Sequence, residues 1–365
     1  MNSESIRSDD SYSDVILAKM QKKKRPKNQE FVGFKEKKKE FKQQKRKWEE
    51  EKAMNKIRKK MEAEQKAKEE EDLKKSQREK FGRSWTVSIA LPGSIVENAQ
   101  SDEEKTNLSG YIARAATVFC VDEIIVFDEL KSITRNEDKE FVNLAVGKRR
   151  NGCIMLAKIL QYLDCPQYLR KSLFPQQPDL KFAGALHPLN APHHLRSDVW
   201  NDYREGVVRN IAVKDGKGSY VDIGLQKDCQ IDKHLLPGVK VTVKIDPNSK
   251  EAKRKYIGEA VAPSAPRTEQ GQYWGYKTRL VTCLSEVFSG CPYDGGYDIT
   301  VGTSERGDNV DTYSFPSPFK HLLIVYLNTC PEQGSATIRT EEALWISLSA
   351  LRPKISASQK SSAST

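Results

Sequence analysis

The sequence predicts an α/β protein built on a parallel sheet, with a small β-barrel inserted into it and a basic helical arm ahead of it. Three observations carry that expectation. Residues 85–128 read as strand, helix, strand, the unit that pairs strands in parallel through a crossover helix. Between residues 204 and 262 helical periodicity vanishes and short β-branched runs follow one another, the texture of a small barrel. The charge is also uneven: residues 1–80 hold 26 Lys and Arg against 17 Asp and Glu, so +9 of the net +11 lies there.

A chain of 365 residues with 37% hydrophobic content can bury one sizeable core and a second small one. After a mixed stretch at residues 1–20, Lys22-Lys23-Lys24-Arg25-Pro26-Lys27 forms a compact basic cluster. Such a cluster serves as a nuclear address, as a nucleic-acid contact, or simply as a solvated charge run. Residues 30–80 are mainly strong helix formers, with no Pro or Gly after Gly33, and predict a long solvated helix. Its apolar positions (Phe41, Trp48, Met54, Ile57, Met61 and Leu73) keep no strict heptad, which argues against a regular coiled coil. This arm suits RNA phosphates, with an affinity that falls steeply with salt; the plainer role is solubility.

At Phe81-Gly82 the texture changes. Trp85-Thr-Val-Ser-Ile-Ala-Leu91 is a buried-strand pattern closed by Pro92-Gly93, residues 103–119 carry apolar positions at helical spacing, and Glu123-Ile-Ile-Val-Phe-Asp128 is a second strand. A further helical pattern spans residues 142–173, interrupted at Cys165-Pro166, and residues 174–198 make a long Pro-, His- and Asn-rich connection. The barrel follows, with strands expected over 206–213, 218–225, 239–245 and 256–261. Its Leu236-Pro-Gly-Val-Lys-Val-Thr-Val243 entry is of the kind found in OB-like barrels, which present Lys and aromatic side chains to single-stranded nucleic acid. Lys217, Tyr220, Lys240, Lys244, Arg254 and Tyr256 are the candidates, with ordinary strand surface or core tyrosine as the plain reading of each. Beyond Pro263 the α/β texture returns: a helix face over Leu280, Cys283, Leu284, Val287 and Phe288, a strand at 297–301, an apolar run at 322–327, and a last helix at 341–351.

Several chemistries are excluded. Gly302-x-x-x-x-Gly307 has phosphate-loop spacing, yet Asp308-Asn309 stands where Lys-Ser/Thr is needed. No Gly-x-Gly-x-x-Gly follows a strand and no Gly-x-Ser-x-Gly elbow is present. The seven cysteines form no Cys-x-x-Cys pair, and His193-His194 are adjacent, so neither a disulfide framework nor a metal site is expected. The first residues lack a signal-peptide pattern, and no apolar run approaches membrane-spanning length, so a reducing intracellular compartment is expected.

What remains is two polar loops, each leaving the carboxyl end of a strand, with a third strand expected between them. Gly302-Thr-Ser-Glu-Arg-Gly307 offers Arg306 as a fixed cation for a carboxylate or phosphate. The other loop, Asn328-Thr-Cys-Pro-Glu-Gln-Gly-Ser-Ala-Thr-Ile-Arg339, leads into Thr340-Glu341-Glu342, read as a helix cap followed by acids favoured at a helix N-terminus. Ligands of open α/β sheets bind at such strand ends.

Taken together, Trp85-Thr-Val-Ser-Ile-Ala-Leu91 with Pro92-Gly93-Ser94, Phe119-Cys-Val-Asp-Glu-Ile-Ile-Val-Phe-Asp128, Gln161-Tyr-Leu-Asp-Cys-Pro-Gln-Tyr-Leu-Arg170, Pro192-His-His194, Tyr273-Trp-Gly-Tyr276 and the two loops resemble the eukaryotic SPOUT-class RNA methyltransferase family. The resemblance covers residues 83–352. It implies a SPOUT-like α/β domain with a C-terminal trefoil knot and an inserted OB-like barrel, acting as a homodimer. In those terms the chain divides into an arm (1–80), the first part of the SPOUT domain (83–203), the barrel (204–262), the second part with the cofactor loops (263–352) and a disordered tail (353–365).

The activity implied is transfer of a methyl group from S-adenosyl-L-methionine to a base of RNA, ribosomal RNA foremost, in the nucleus. Cofactor contacts carry over to Arg306, Asn328 and Thr329, and more loosely to Gln333, Gly334, Thr337 and Ile338. Arg306 and Arg339 are the candidate catalytic cations; Glu305, and less so Asp308, is the candidate base. RNA contacts are expected at Lys22, Lys23, Lys24 and Arg25 of the arm and at Lys217, Tyr220, Lys244 and Arg254 of the barrel. One departure stands out: Val325 runs directly into Tyr326-Leu-Asn328, where the family carries a Gly-Gly loop, an acidic helix and a further strand. The knot is then incomplete and the cleft lacks one wall. The alternative reading is therefore an RNA-binding or assembly protein without turnover, associated with the spindle or kinetochore.

Overall fold

The computed structural model describes residues 82–129, 152–213, 217–252, 254–302, 309–315, 319–325 and 338–361, together with 133–135, 141–143, Ser335 and parts of the arm including 51–61. The chain divides into two units, residues 1–73 and 74–365. In the first, residues 51–61 form a helix whose side chains are exposed.

In the second unit, β1 (Thr86–Pro92), α1 (Asp102–Val118) and β2 (Glu123–Phe127) form the expected strand, helix, strand unit. Both strands are buried along nearly their whole length, as a sheet covered on both faces requires. Ser101 caps α1 by accepting from Glu104 N, while the Glu104 side chain returns to the Ser101 backbone, a complete capping box. A short antiparallel pair follows, β3 (Ile133–Arg135) and β4 (Phe141–Asn143), then α2 (Gly152–Asp164) and α3 (Gln167–Leu173). After the barrel come α4 (Ala265–Gln270), β10 (Lys277–Val281), α5 (Leu284–Ser289), β11 (Ile299–Val301), β12 (His321–Ile324) and α6 (Thr340–Ser361).

The sheet has the order β10-β2-β1-β12-β11, every pair parallel. The two immediate neighbours of β1, β2 (Glu123–Phe127) and β12 (His321–Ile324), thus come from distant parts of the chain. One face is covered by α1, α2 and α6 through Ile112, Ala115, Leu156, Ile159, Leu344 and Leu348; on the other, Val287 of α5 packs on Ala90, Ile125 and Leu323. That second face also holds a buried carboxylate. Glu123 is 1% exposed and accepts from Ser88 Oγ (2.9 Å), Arg279 Nε (2.9 Å) and Tyr297 Oη (2.7 Å), which pins β1, β2 and β10 to one another.

The barrel is closed, in the order β5-β6-β7-β9-β8: β5 (Tyr203–Val208), β6 (Tyr220–Asp222), β7 (Cys229–Gln230), β8 (Lys240–Ile245) and β9 (Tyr256–Val261). The two-residue β7 is too short to leave a pattern in the sequence. The barrel meets the sheet at the amino ends of the sheet strands. There the backbone carbonyl of Asp164 accepts from His193 Nε2 (2.8 Å) and His194 Nε2 (2.9 Å), and the carboxylate accepts from Tyr276 N (3.1 Å), one residue before β10.

Two expectations are corrected. Leu280 lies in β10 and the helix after it starts only at Leu284, because β10 pairs with β2 through Val281↔Phe127. The tail expected at 353–365 is helical to Ser361, continuous with α6 through Pro353. Proline removes one helical hydrogen bond. Here Leu351 and Ile355 are buried in the core on either side of it, and Lys354 Nζ donates to the carbonyls of Asp311 (3.1 Å) and Tyr313 (2.9 Å), so packing holds the helix together.

Removing the buried carboxylate tests this account of the sheet. Glu123→Ala leaves the half-buried Arg279 guanidinium without its carboxylate, though with its bonds to Glu286 O, Val287 O and Tyr297 Oη, and is expected to lower the unfolding free energy by about 2–3 kcal/mol, read from the urea midpoint. A loss under about 1 kcal/mol would show that Glu123 is not the pin described.

Candidate functional site

The sheet reverses its winding at β1. On one side lie β2 and β10, on the other β12 and then β11, and a crevice at the carboxyl ends of such a switch point is where doubly wound sheets bind ligands. The edge here is formed by Pro92, Phe127, Val281, Val301 and Ile324, the last residues of the five strands.

Its walls follow from small residues and side-chain clasps. Pro92 ends β1 and leads into a 3-10 turn, Gly93–Asn98, that lies against the first turn of α2. A Cβ on Gly93 would sit 2.1 Å from Cys153 Sγ and 2.7 Å from Cys153 Cα, and one on Gly152 would sit 3.0 Å from Gly93 O, so this approach of loop and helix tolerates only glycine at both places. Ser94 Oγ donates to Glu129 Oε2 and clasps the loop after β1 to the loop after β2. Asp128 is 3% exposed and its carboxylate accepts from Ile133 N (2.9 Å), which turns the chain into β3. After β10, Glu286 Oε2 accepts from Thr282 N (2.7 Å) and Thr282 Oγ1 (2.9 Å).

β11 and β12 pair directly, through Ile299↔Leu322, Thr300↔Leu323 and Val301↔Ile324, and Val325 N donates to Val301 O (2.7 Å). The strand expected between them is therefore replaced by immediate neighbours. Gly302 and Val325 leave the sheet side by side, Val325 beside β1 just after the Ile89↔Ile324 pair and Gly302 one strand further out. Glu305, Arg306 and Asp308 of the first loop, and Asn328, Thr329, Gln333, Gly334 and Thr337 of the second, lie outside the described residues.

Ile338 and Arg339 are described. Arg339 is exposed and caps α6: its N–H donates to Glu342 Oε2 (3.0 Å) and its carbonyl accepts the first helical bond from Ala343 N (2.8 Å). Thr340, read from the sequence as the cap, is the first helical residue, while Glu342 does serve the helix start. Trp345 packs edge-on against Phe119 at the end of α1 (5.8 Å between centroids).

On the barrel, Lys217 and Arg254 are exposed and Tyr220 is half-buried, with Lys255 Nζ 5.6 Å from its ring centre. Lys244 stands apart on the β5–β8 wall, bonded to Glu269 Oε2 (2.7 Å) and 5.2 Å from the Tyr203 ring. Tyr256 is 8% exposed and packs edge-on with Trp200, so it belongs to the barrel core. Lys22, Lys23, Lys24 and Arg25 lie outside the described residues. The Ser94–Glu129 clasp escaped sequence reading, because nothing local links two polar residues 35 positions apart. Among the described residues no three His, Cys, Asp or Glu side chains are placed to share a metal ion, and no helix is long and apolar enough to cross a membrane.

The family described as "Putative RNA methyltransferase" matches residues 86–326. A human 28S rRNA (uridine-N(3))-methyltransferase is 47% identical over 306 residues, covering 76% of this chain and 81% of its own. Its mouse counterpart is 48% identical, covering 76% and 79%. The Drosophila melanogaster protein of the same description is 46% identical over 304 residues, covering 74% of this chain and 62% of its own.

The thiols give a local test of the edge. Hydrogen bonding, first with Ser285 Oγ (3.0 Å to the sulfur) and then with the Glu286 backbone, holds the partly exposed Cys283 thiol below its ordinary pKa. Burial pushes Cys153 and Cys229 up to about 12 and Cys165 up to about 11. At pH 8 iodoacetamide is expected to alkylate Cys283 well before those three, as followed by peptide mass spectrometry; equal rates would contradict the geometry after β10.

Proposed function

The chain belongs to the RNA methyltransferase family that matches it over residues 86–326, and we propose that it methylates N3 of a uridine in ribosomal RNA with S-adenosyl-L-methionine as methyl donor. The observation that carries the proposal is the in-register ending of β11 and β12 beside the switch-point strand β1. It starts the two candidate loops at one edge, where backbone groups are free to meet a ligand.

The donor set fits the cofactor. Arg306 is matched to an amino-acid carboxylate, and Asn328, Thr329 and Gln333, with the backbone at Gly334, Thr337 and Ile338, are matched to ribose hydroxyls and the edge of an adenine. When bound, S-adenosylmethionine supplies a sulfonium methyl group and leaves as a neutral thioether. The chain's work is alignment of the uracil with that methyl and removal of the N3 proton. Glu305, one residue before Arg306, is the proposed proton acceptor. Arg306 and Arg339 are the proposed cations for the negative charge that spreads onto the uracil carbonyl oxygens as N3–H is lost.

Lys217, Tyr220, Lys244 and Arg254 of the barrel, and Lys22, Lys23, Lys24 and Arg25 of the arm, are proposed RNA contacts. Exposure of Lys217 and Arg254 supports that role, and the bond of Lys244 to Glu269 counts against it for that residue. The trefoil knot, the homodimer and a nuclear location are parts of the same proposal and rest on the resemblance alone. The reading as a spindle or kinetochore protein without turnover has no observation in its favour.

The test uses the full chain, methyl-labelled S-adenosylmethionine and a 28S rRNA fragment, with nucleoside mass spectrometry as the readout. N3-methyluridine is expected, and Arg306→Ala is expected to lower its yield about tenfold or more, the loss of one charge-assisted contact. Label in another nucleoside would sink the uridine assignment, and no transfer at all would sink the proposal for this chain.

A further inference from the structure

A cleft of about 640 Å³ opens between the barrel and the amino edge of the sheet, the edge opposite the candidate reaction site. That volume is typical of sites that enclose a small ligand. Its lining includes the aromatic rings of Trp274 and Tyr293, the carboxylates of Asp164 and Glu205, the Lys240 ammonium and the Thr278 hydroxyl.

These polar groups are unequally used. Glu205 Oε1 accepts from Trp274 Nε1 and from Thr242 Oγ1 (2.8 Å), which fixes the indole against the barrel. Lys240 Nζ lies 3.5 Å from Asp164 Oδ2 and 3.6 Å from Glu205 Oε2, close enough for charge balance but longer than a good hydrogen bond. Thr278 Oγ1 is buried with no hydrogen-bond partner, a condition that costs free energy unless something supplies one.

The charge pattern selects the class of ligand. Asp164 and Glu205 share the single Lys240 ammonium, Asp122 is bonded to Arg83 and lies 3.5 Å from Arg267 Nε, and Lys277 adds an exposed cation to the lining, so four cations face three carboxylates. With the charges this close to balance, and all but Lys277 paired with one another, the cleft has only a weak positive field to draw in a phosphate. A nucleobase is flat, uncharged and edged with donors and acceptors, and it suits aromatic walls. A carboxylate beside an ammonium presents an acceptor next to a donor, the complement of an exocyclic amino group next to a ring nitrogen or carbonyl. Guanine, cytosine and adenine carry that pair; uracil has no amino group.

We propose that this cleft binds one unpaired, amino-bearing nucleobase of the RNA, separate from the base that is methylated. The separation follows from β1, which runs from Thr86 in the lining to Pro92 at the opposite edge over 7 residues. At ~3.3 Å per residue that is about 20 Å, too far for one nucleotide to occupy both places. The base in the cleft sets where the RNA strand lies, while the uridine is presented at the other edge. This inference rests on the reading of the chain as an RNA methyltransferase.

The test measures fluorescence anisotropy of the full chain with short labelled oligouridylates, either uniform or carrying one guanosine, cytidine or adenosine at the centre. At least one amino-bearing base is expected to bind about five- to tenfold more tightly than uridine at that position. Thr278→Val is expected to reduce that preference while leaving the affinity for uniform oligouridylate and for S-adenosylmethionine unchanged, and Lys240→Gln is expected to reduce the preference by more than it weakens binding of uniform oligouridylate. Thr278→Val replaces a partnerless buried hydroxyl by a methyl group, so the fold is retained even if Lys240→Gln proves unstable. Equal affinity for all oligonucleotides in the wild type, or full preference in both variants, overturns the cleft proposal alone. Failure of the wild type to bind any of them overturns it together with the RNA reading.

Discussion

The parallel pairing of β1 with β12 is the constraint on which the rest depends. It joins Thr86 to His321 across 235 positions of chain, and the Thr86 hydroxyl and His321 Nδ1 close the contact at 2.8 Å. Once those strands are neighbours, β2 and β10 must stack outward on one side and β11 on the other, and the winding reverses at β1. That reversal makes the crevice at the carboxyl edge. The register is hard to alter, because Thr86 and Ser88 on one face of β1 bond to His321 and Glu123 while Val87, Ile89 and Leu91 on the other face pack in the core, and a slip of one residue would exchange the two sets.

The barrel fits this plan because of where it enters. The chain crosses from β2 to β10 by descending α2 to Asp164 at the amino edge, and β10 must begin at that same edge. An insertion made there lengthens a connection whose ends are already close, and the entropic cost of a longer loop grows only slowly. Asp164 anchors the junction. Desolvation works against its charge, but His193, Lys240 and His194 together hold its carboxyl down to about 2, so it remains an acceptor across the range in which the protein works. The carboxyl edge is left free of the insertion.

Much of the fold was legible in the sequence. The period-2 and buried-strand runs located β1, β2, β8 and β9, and the spacing of Leu108, Ile112, Ala115 and Ala116 located α1. The misses have physical causes. Polar residues inside apolar strands, Glu123 and Arg279, pair across the sheet and leave no local trace. The two-residue β7 is below any pattern length, and α6 runs through Pro353 because tertiary contacts outweigh a local stop signal. Adjacency of β11 and β12 is a topological fact that periodicity cannot carry. At the candidate site, the sequence pointed to loops that leave the ends of β11 and β12, but not to the Ser94–Glu129 clasp or the glycine contact at Gly93 and Gly152.

Family membership and the direct run from Val325 to Asn328 have to be held together. The sheet closes around β12 without the Gly-Gly loop, helix and strand expected from the resemblance, and the edge where the two loops start is formed by strands that pair in register. On the proposed function, this edge holds the methyl donor. Ultraviolet cross-linking of radiolabelled S-adenosylmethionine to the full chain, followed by peptide mapping, tests it most directly. Label is predicted in the peptides that contain Gly302 to Asn309 and Val325 to Arg339. Label confined to barrel peptides, or to those around Asp122 and Asp164 at the amino edge, would contradict the account.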